Sequence, residues 1–462
     1  MLLPKSFKEE LISIVGKKNF SEALIDQVSS SMDFSGYRHD PEGTVWPTTT
    51  EQVAKIMALA NREKIPVTPR GAGTGATGMA VPIRGGIVLD LVRMNKILSI
   101  SIEDRLAVVQ PGVVYADLQK TLSLSGFCFP PDPASGKVAT IGGNVATNAG
   151  GIKGAKYGTT RDYVLGLEVV LPDGRIMRTG GSCMKSVSGF DLTRLMVGSE
   201  GLLGVITEIR LKINPIPIAT ATALGAFEQL GQAGQAVSQI MHSGIIPSVC
   251  EILDRYTIDL LLEHTSVDLP RCAALILVET DGTTQAEADF QIGKIIEVFQ
   301  KNQAVLIKQA GTAAEAAGLW QARKSLGSVL TRAKPNFLVE DVTVPMGRIT
   351  DLLLGIEAIA QKYGLDFITF GHAGDGNLHP HALYDGSNQD EVRRVEQAAA
   401  DLFKLACDLG GTLTGEHGIG LSKASFMNLE HDPVALEVMA SLKKLFDPNH
   451  ILNPGKMGLA GC

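Results

Sequence analysis

No two of the six cysteines (Cys128, Cys183, Cys250, Cys272, Cys407, Cys462) stand in a C-x-x-C pair. That removes a disulfide framework, a cysteine zinc site and an iron–sulfur cluster, and it fits a reducing compartment. A basic block is also missing: 49 acidic against 42 basic residues give a net charge of −7. Nucleic acid wants a positive surface, so no such partner is expected. No apolar run approaches the roughly 20 residues that span a bilayer. The first residues, MLLPKSFKEELISIVGKK, put acids where a secretory signal needs an apolar centre, so a cytosolic protein is expected. With 45% hydrophobic and 20% charged residues over 462 positions, the composition is that of a globular chain of two or three domains. Disordered, collagen-like and coiled-coil chains are excluded.

Glycine is in excess. The 50 glycines amount to about 11% of the chain, against about 7% ordinarily, and they concentrate between Gly71 and Gly204. Residues 1–40 read as a helical lead-in with Leu11, Ile14 and Val15 on one face. Thr48-x-x-Glu51 is a capping box, followed by Val53, Ile56, Met57 and Ala60 at helical spacing. Strands are expected at Ile65–Thr68, Ile87–Leu91, Ala107–Gln110, Val164–Leu171 and Leu203–Ile213, and a helix at Tyr115–Ser123. From about residue 219, helical segments (225–243, 284–301, 349–363, 391–409) alternate with strands (271–279, 338–344, 366–371, 378–384). That alternation predicts an α+β domain of antiparallel sheet with helices on one face. A last helix is expected within 442–454.

GTGATG (Gly73–Gly78) matches the dinucleotide fingerprint G-x-G-x-x-G, but its context does not. The fingerprint needs a helix directly after the glycines and an acid about 20 residues on. Here MAVPIRGG follows, and Asp90 is the first acid. A nicotinamide-binding Rossmann fold is therefore excluded. A loop of small residues can still hold phosphate through successive backbone N–H groups. A second such run, Gly142, Gly143, Gly150 and Gly151 with Asn144 and Asn148 among them, points to backbone packed along a large nucleotide.

Four of the nine histidines fall in two short motifs. In FGHAGDGNLHPHALY (370–384), AGDGN reads as a turn between strands, so His372 and His379 lie close across it. His379 and His381, two apart, share a face. In GEHGIGLSK (415–423), glycines expose Glu416 and His417 at a helix start. Two imidazoles and a carboxylate can bind Zn²⁺ or Fe²⁺ with positions left open for substrate, whereas a histidine by itself is more often a hydrogen-bonded structural residue.

The ordered set PRGAGTGATG, PPDPAS, ATIGGNVATNAGG, KYGTTRDYV and VGSEGLLGVIT resembles the flavin-binding domain of the vanillyl-alcohol oxidase superfamily. The C-terminal motifs resemble its branch of glycolate oxidase catalytic subunits, D-lactate dehydrogenases and D-2-hydroxyglutarate dehydrogenases, and the likeness covers residues 40–460. It implies an α+β chain with a two-part FAD-binding domain of the p-cresol methylhydroxylase type (41–217) after the lead-in (1–40). An antiparallel-sheet substrate or cap domain with the metal site (218–420) follows, and a C-terminal segment (421–462) returns to the flavin. The loops at Gly71–Gly78 and 140–151 would hold the pyrophosphate, residues around Gly201 and Ile206 the adenine half, and Asn453 would lie near the flavin ring. Position by position, the likeness assigns to FAD Pro69, Arg70, Gly71, Ala72, Gly73, Thr74, Gly75, Gly78, Pro131, Asp132, Thr140, Gly142, Gly143, Asn144, Thr147, Asn148, Gly150, Gly151, Tyr157, Gly158, Glu200, Gly201, Gly204, Ile206 and Asn453. Relatives that attach FAD covalently often carry histidine just after the first glycines; Thr74 and Gly75 stand there, which implies a noncovalent flavin.

The same resemblance assigns a divalent metal, Zn or Fe, to His372, His379 and Glu416, makes His417 the proposed base, and matches Arg323, in GLWQARKSL, to the substrate-binding arginine. By residue type alone Arg323 would be a solvated helix charge. Oxidising a 2-hydroxy acid removes a proton from the hydroxyl and a hydride from carbon 2. A metal would stabilise the alkoxide, an imidazole take the proton, flavin N5 the hydride, and an arginine fork the substrate carboxylate. Branches that take 2-hydroxyglutarate carry a lysine just before the strand that reads VEDVTVP here, and asparagine where this chain has His381. With Val339 at the first place, a small monocarboxylate, D-lactate or glycolate, is expected, with His381 as a further substrate contact. The family implies an electron-accepting partner, an electron-transfer flavoprotein or an iron–sulfur subunit, which could hold the protein at a membrane's edge, with oxygen or quinone left open as acceptor. The rival reading is a noncatalytic flavin-holding subunit, which would lack the H-x-G-D-G-N-x-H and E-H motifs.

Overall fold

In the computed structural model, which describes residues 2–459, the glycine-rich half of the sequence builds two main sheets. The first contains β1 (Phe20–Ser21), β2 (Gly43–Val45), β3 (Val67–Arg70) and β4 (Ile87–Asp90) in the order β1-β2-β4-β3. Chain order continues with β5 (Ile97–Ser101), β6 (Leu106–Val109), β7 (Phe127–Cys128), β8 (Val164–Val170), β9 (Ile176–Gly180), β10 (Val205–Lys212) and β11 (Asn214–Pro215). Five of these form an antiparallel sheet, β5-β6-β10-β8-β9, and β11 pairs with β7.

The lead-in helix Lys5–Val15 buries Phe7, Leu11 and Val15 against the helix Thr50–Glu63 and the first sheet. Its face is the expected one, with Ile14 at the margin. The second helix buries Val53, Ile56, Met57 and Ala60 as the spacing predicts, but Thr49 caps it rather than Thr48, accepting from Gln52 N–H at 3.2 Å. The Gln52 side chain in turn accepts from Thr48 N–H, which displaces the Thr48–Glu51 box by one residue. After the helix Pro433–Phe446, the chain returns to the first sheet. Leu452 bridges Val67 in parallel, beside the strand that leads into the first glycine loop. Lys443, fully buried, fixes this return by donating to Leu202 O, Leu452 O and Asp447 Oδ2.

The residues up to Gly150, the stretch Thr159–Ile216 and the residues from Glu416 onward cluster as one compact unit. The second unit takes Pro217–Gly415 and also Gly151–Gly158, a short excursion out of the glycine-rich region. Its sheet has seven antiparallel strands: β12 (Ala219–Phe227), β13 (Val249–Asp254), β14 (Ala274–Gly282), β15 (Leu306–Gln309), β16 (Asn336–Val339), β17 (Asp366–His372) and β18 (Asn377–Tyr384). They lie in the order β15-β12-β14-β13-β17-β18-β16.

Helices cover both faces of this sheet, not one as expected. On β12, Gly225 lies under Phe299 of the helix Gln285–Lys301, where a Cβ would come within 2.8 Å of the ring. Its neighbours Leu224 and Ala226 point the other way, into a core shared with Leu319, Trp320 and Leu326 of the helix Ala313–Ala333. That helix and Arg255–His264 escaped the alternation seen in the sequence, and they cover the face that carries the histidines.

Among the described residues no helix is long and apolar enough to cross a membrane, and five cysteines are free thiols; Cys462 lies outside the described residues.

Candidate active site

Two sets of residues concern function, one in each unit. In the first unit, the loop after β3 packs against the start of the helix Ile141–Thr147. A Cβ on Gly71 would meet Thr140 Oγ1 at 2.3 Å, and one on Gly142 would meet Pro111 at 2.5 Å. The two runs, far apart in sequence, thus meet where the loop passes Thr140 and Gly143, an approach that the missing Cβ of Gly71 permits. Gly73 has φ +69, and a Cβ there would collide with the Arg70 guanidinium, which donates to Met32 O. Burial lowers the pKa of Arg70. A cleft of about 180 Å³ is lined in part by Ala72, Gly112, Asp117 and Thr140.

Three non-glycine residues that the resemblance ties to the flavin adopt left-handed backbone: Asn148 (φ 58), Glu200 (φ 51) and Asn453 (φ 44). Such conformations persist only where surroundings enforce them, and they gather at functional sites. Asn453 Nδ2 donates to Met79 O and Glu200 O, while its Oδ1 and the buried Nδ2 of Asn144 have no hydrogen-bond partner among the described residues. A buried polar atom left so is costly unless a ligand meets it.

Glu200 accepts from Ile419 N–H at 2.6 Å and Gly420 N–H at 2.9 Å, the segment just beyond His417. Burial lifts its carboxyl to about 7, although those two bonds pull the other way. An acid with a higher pKa folded than unfolded stabilises the fold below its unfolded value, here 4.5, and loses that contribution as pH rises through about 7. Glu200→Gln is therefore expected to flatten the fall in thermal midpoint across that window. An identical fall in both proteins would remove Glu200 as its source.

In the second unit, strand register assembles the rest. β17 and β18 pair Phe370 with His379 and His372 with Asn377, and β13 sets Glu251 opposite His372. Alternation then puts Glu251, Phe370, His372, His379 and His381 on the face that packs with the helix Ala313–Ala333. The His372 and His379 rings meet edge to face at 5.0 Å, with one nitrogen of each within 4.8 Å of the other. His381 stacks on Phe370 at 4.6 Å and its Nδ1 contacts His379 O at 2.7 Å.

Arg323 is not a solvated charge: its side chain is 15% exposed, its guanidinium lies 4.8 Å over the Phe370 ring, and its Nε donates to Glu251 Oε2. The other oxygen, Oε1, faces His372 Nδ1. Burial would raise the Glu251 carboxyl, but His372 and Arg323 on either side reverse this and hold it at about 2. Sequence reading missed Glu251. Its one signal was an acid inside the apolar strand VCEILD.

The turn of the first histidine motif meets the start of the second. Asn377 Nδ2 donates to Asp341 O and Thr343 Oγ1, and a Cβ on Gly415 would meet both Asn377 and Thr343 within 2.5 Å. Gly415 N–H donates to Asp341, and one peptide bond later comes Glu416. No helix begins there, contrary to expectation; the chain stays irregular until Ala424. Within the first unit, a Cβ on Gly150 would lie 2.8 Å from Glu416 Oε2, and His417 Nε2 lies 3.9 Å from Glu416 Oε1.

Other assigned positions have structural employment. Gly204 packs on Val169, Ile206 lies in the core of the five-stranded sheet, and Thr147 Oγ1 donates to Gly143 O. Asp132 accepts from Tyr115 OH. Gly151, Tyr157 and Gly158 belong to the second unit, where Tyr157 OH donates to Asp281 at 2.5 Å.

A glycine-lined cradle in one unit and a histidine–carboxylate–arginine array in the other define a two-domain flavin oxidoreductase. Residues 216–457 match the family described as "FAD linked oxidases, C-terminal domain", and residues 41–180 match the "FAD binding domain". The chain belongs to the FAD-linked oxidase family and is an FAD-dependent oxidoreductase, as its motifs implied. It is 43% identical to "Glycolate oxidase subunit GlcD" of Bacillus subtilis (strain 168), over 99% of this chain and 97% of that one. It is 37% identical to a "D-lactate dehydrogenase" of Anaerostipes hadrus, over 90% and 89%. The fold is that of p-cresol methylhydroxylase, with a TM-score of 0.82 at 20% identity over 98% of this chain and 96% of that one.

Proposed function

We propose that this protein oxidises a small D-2-hydroxy acid, D-lactate or glycolate, to the 2-oxo acid, and passes the electrons to a partner protein in the cytosol or at a membrane's edge. The observation that carries the proposal is the Arg323–Glu251–His372 array with His379 beside it, polar groups buried on an otherwise apolar sheet face. The relatives' names support the same chemistry.

The first unit suits a noncovalent FAD: its glycine loops leave room for backbone approach, and the orphaned Asn144 Nδ2 and Asn453 Oδ1 await a polar ligand. Bound there, FAD supplies the acceptor for the hydride from carbon 2. His372 and His379 with Glu416 offer two nitrogens and a carboxylate, a donor set suited to Zn²⁺ or Fe²⁺. Such a cation supplies charge stabilisation for the alkoxide. His417 takes the hydroxyl proton. Arg323 spends its Nε on Glu251, which leaves the NH1/NH2 edge to grip the substrate carboxylate in two bonds, with His381 beside it against Phe370.

Electrons must leave the reduced flavin, and the singly placed cysteines offer no cluster motif within this sequence to take them. An electron-transfer flavoprotein or an iron–sulfur subunit suits the role.

Arg323→Lys is expected to raise KM, lower kcat, or both, because a point charge cannot replace the planar fork. An unchanged kcat/KM would release Arg323 from substrate binding. The whole reading is tested by the anaerobic visible spectrum of the FAD-loaded protein before and after D-lactate, glycolate and D-2-hydroxyglutarate. Bleaching by one of the first two is the expected result. Indifference to all three would favour a noncatalytic flavin subunit.

A further inference from the structure

We propose that Glu251 is a shared positioning residue: one carboxylate sets both the metal-binding nitrogen of His372 and the carboxylate-binding edge of Arg323. The inference deepens the reading of those two residues given above and rests on it.

Glu251 is fully buried in the centre of β13, with Ile252 and Leu253 after it in the strand. An ionised carboxylate only accepts hydrogen bonds. His372 must therefore carry its proton on Nδ1, toward Oε1, which leaves the Nε2 lone pair for a metal. Oε2 takes the Nε–H of Arg323, and the Phe370 ring supports the guanidinium plane. Each oxygen thus serves one functional side chain. Stability does not account for the arrangement, since burying an ion pair commonly returns no more than well-packed apolar groups would. The consequence is that metal binding and substrate carboxylate binding depend on one side chain that touches neither.

Glutamine has nearly the same shape but only one accepting oxygen. In Glu251→Gln the amide N–H₂ must face either Arg323, donor against donor, or His372, and the oxygen left to the other partner has lost its charge, so both bonds weaken. Facing His372, it would draw the ring into the tautomer with its proton on Nε2, which cannot ligate. The FAD-loaded variant should lose roughly 10–100-fold in Zn²⁺ affinity, read as zinc per FAD by elemental analysis after dialysis at buffered free Zn²⁺. It should also show a raised KM at saturating Zn²⁺. Glu251→Asp, which keeps both acceptors one methylene shorter, should recover part of each loss.

Zinc affinity and KM both within twofold of wild type would overturn the proposal, and a change in only one would overturn the shared role. His372→Ala is measured alongside. If it sheds zinc while Glu251→Gln does not, the inference alone falls; if His372→Ala keeps its zinc, the metal reading itself falls. Should Glu251→Gln not yield FAD-loaded protein, Glu251→Asp decides: wild-type zinc affinity and KM there would reject the inference.

Discussion

His417→Ala is expected to abolish flavin reduction by the 2-hydroxy acid while FAD stays bound. A positioned general base contributes roughly 10²–10⁴-fold, and the loss should fall on the reduction step itself. The backbone of this segment is anchored independently of the ring that the substitution removes. Backbone groups hold the segment: His417 O accepts from Thr77 Oγ1, Ile419 and Gly420 donate to Glu200, and Leu421 N–H donates to Thr77 O. Gly418 and Gly420 take left-handed backbone just after His417. Anaerobic stopped-flow traces of flavin absorbance give the result directly. Reduction at the wild-type rate would remove His417 as the base, and protein emerging without FAD would make it a structural residue.

His372→Ala combined with His379→Ala should reduce bound metal to background with the flavin complement intact. Each imidazole is one of only three protein ligands in the proposed set, and a lone carboxylate holds transition metals poorly. Retention of FAD is expected because most residues tied to the flavin, Gly71–Gly78 and Thr140–Gly150 among them, belong to the first unit, whereas both histidines stand on β17 and β18 of the second. Elemental analysis beside the flavin absorbance separates the two. One metal per chain in the double variant would reject the ligand assignment, and loss of FAD would reject the separation of the two sites.

What could be read in the sequence was what depends on local chemistry. Glycine density marked both loops of the cradle, because close backbone approach permits only that residue at positions such as Gly71 and Gly142. The HAGDGNLH spacing predicted a turn between two strands and so placed His372 near His379, as β17 and β18 do. Long-range partners were hidden. Glu251 sits 72 positions from Arg323 and 121 from His372, and nothing local to VCEILD announces either. The helix Ala313–Ala333 was missed because its buried stripe is diluted by alanine, glycine and serine, and with it went the second helical layer. The excursion Gly151–Gly158 could not be foreseen either, since its composition continues the loop before it.

The first unit is written in three pieces of chain, and the last piece closes it. Val67 exchanges backbone bonds with Ile451 and Asn453 only after the whole second unit has been made. A ribosome adding roughly 5–20 residues per second needs roughly 10–40 s to cross those ~200 residues. Throughout that delay the strand beside the first glycine loop has an open edge, and Asn453, whose side chain ties Met79 to Glu200, has not yet been added. The cradle that the resemblance ties to the flavin is therefore unfinished until residue 453 has been added, and until then the nascent first unit carries an unpaired strand edge of the kind that invites aggregation.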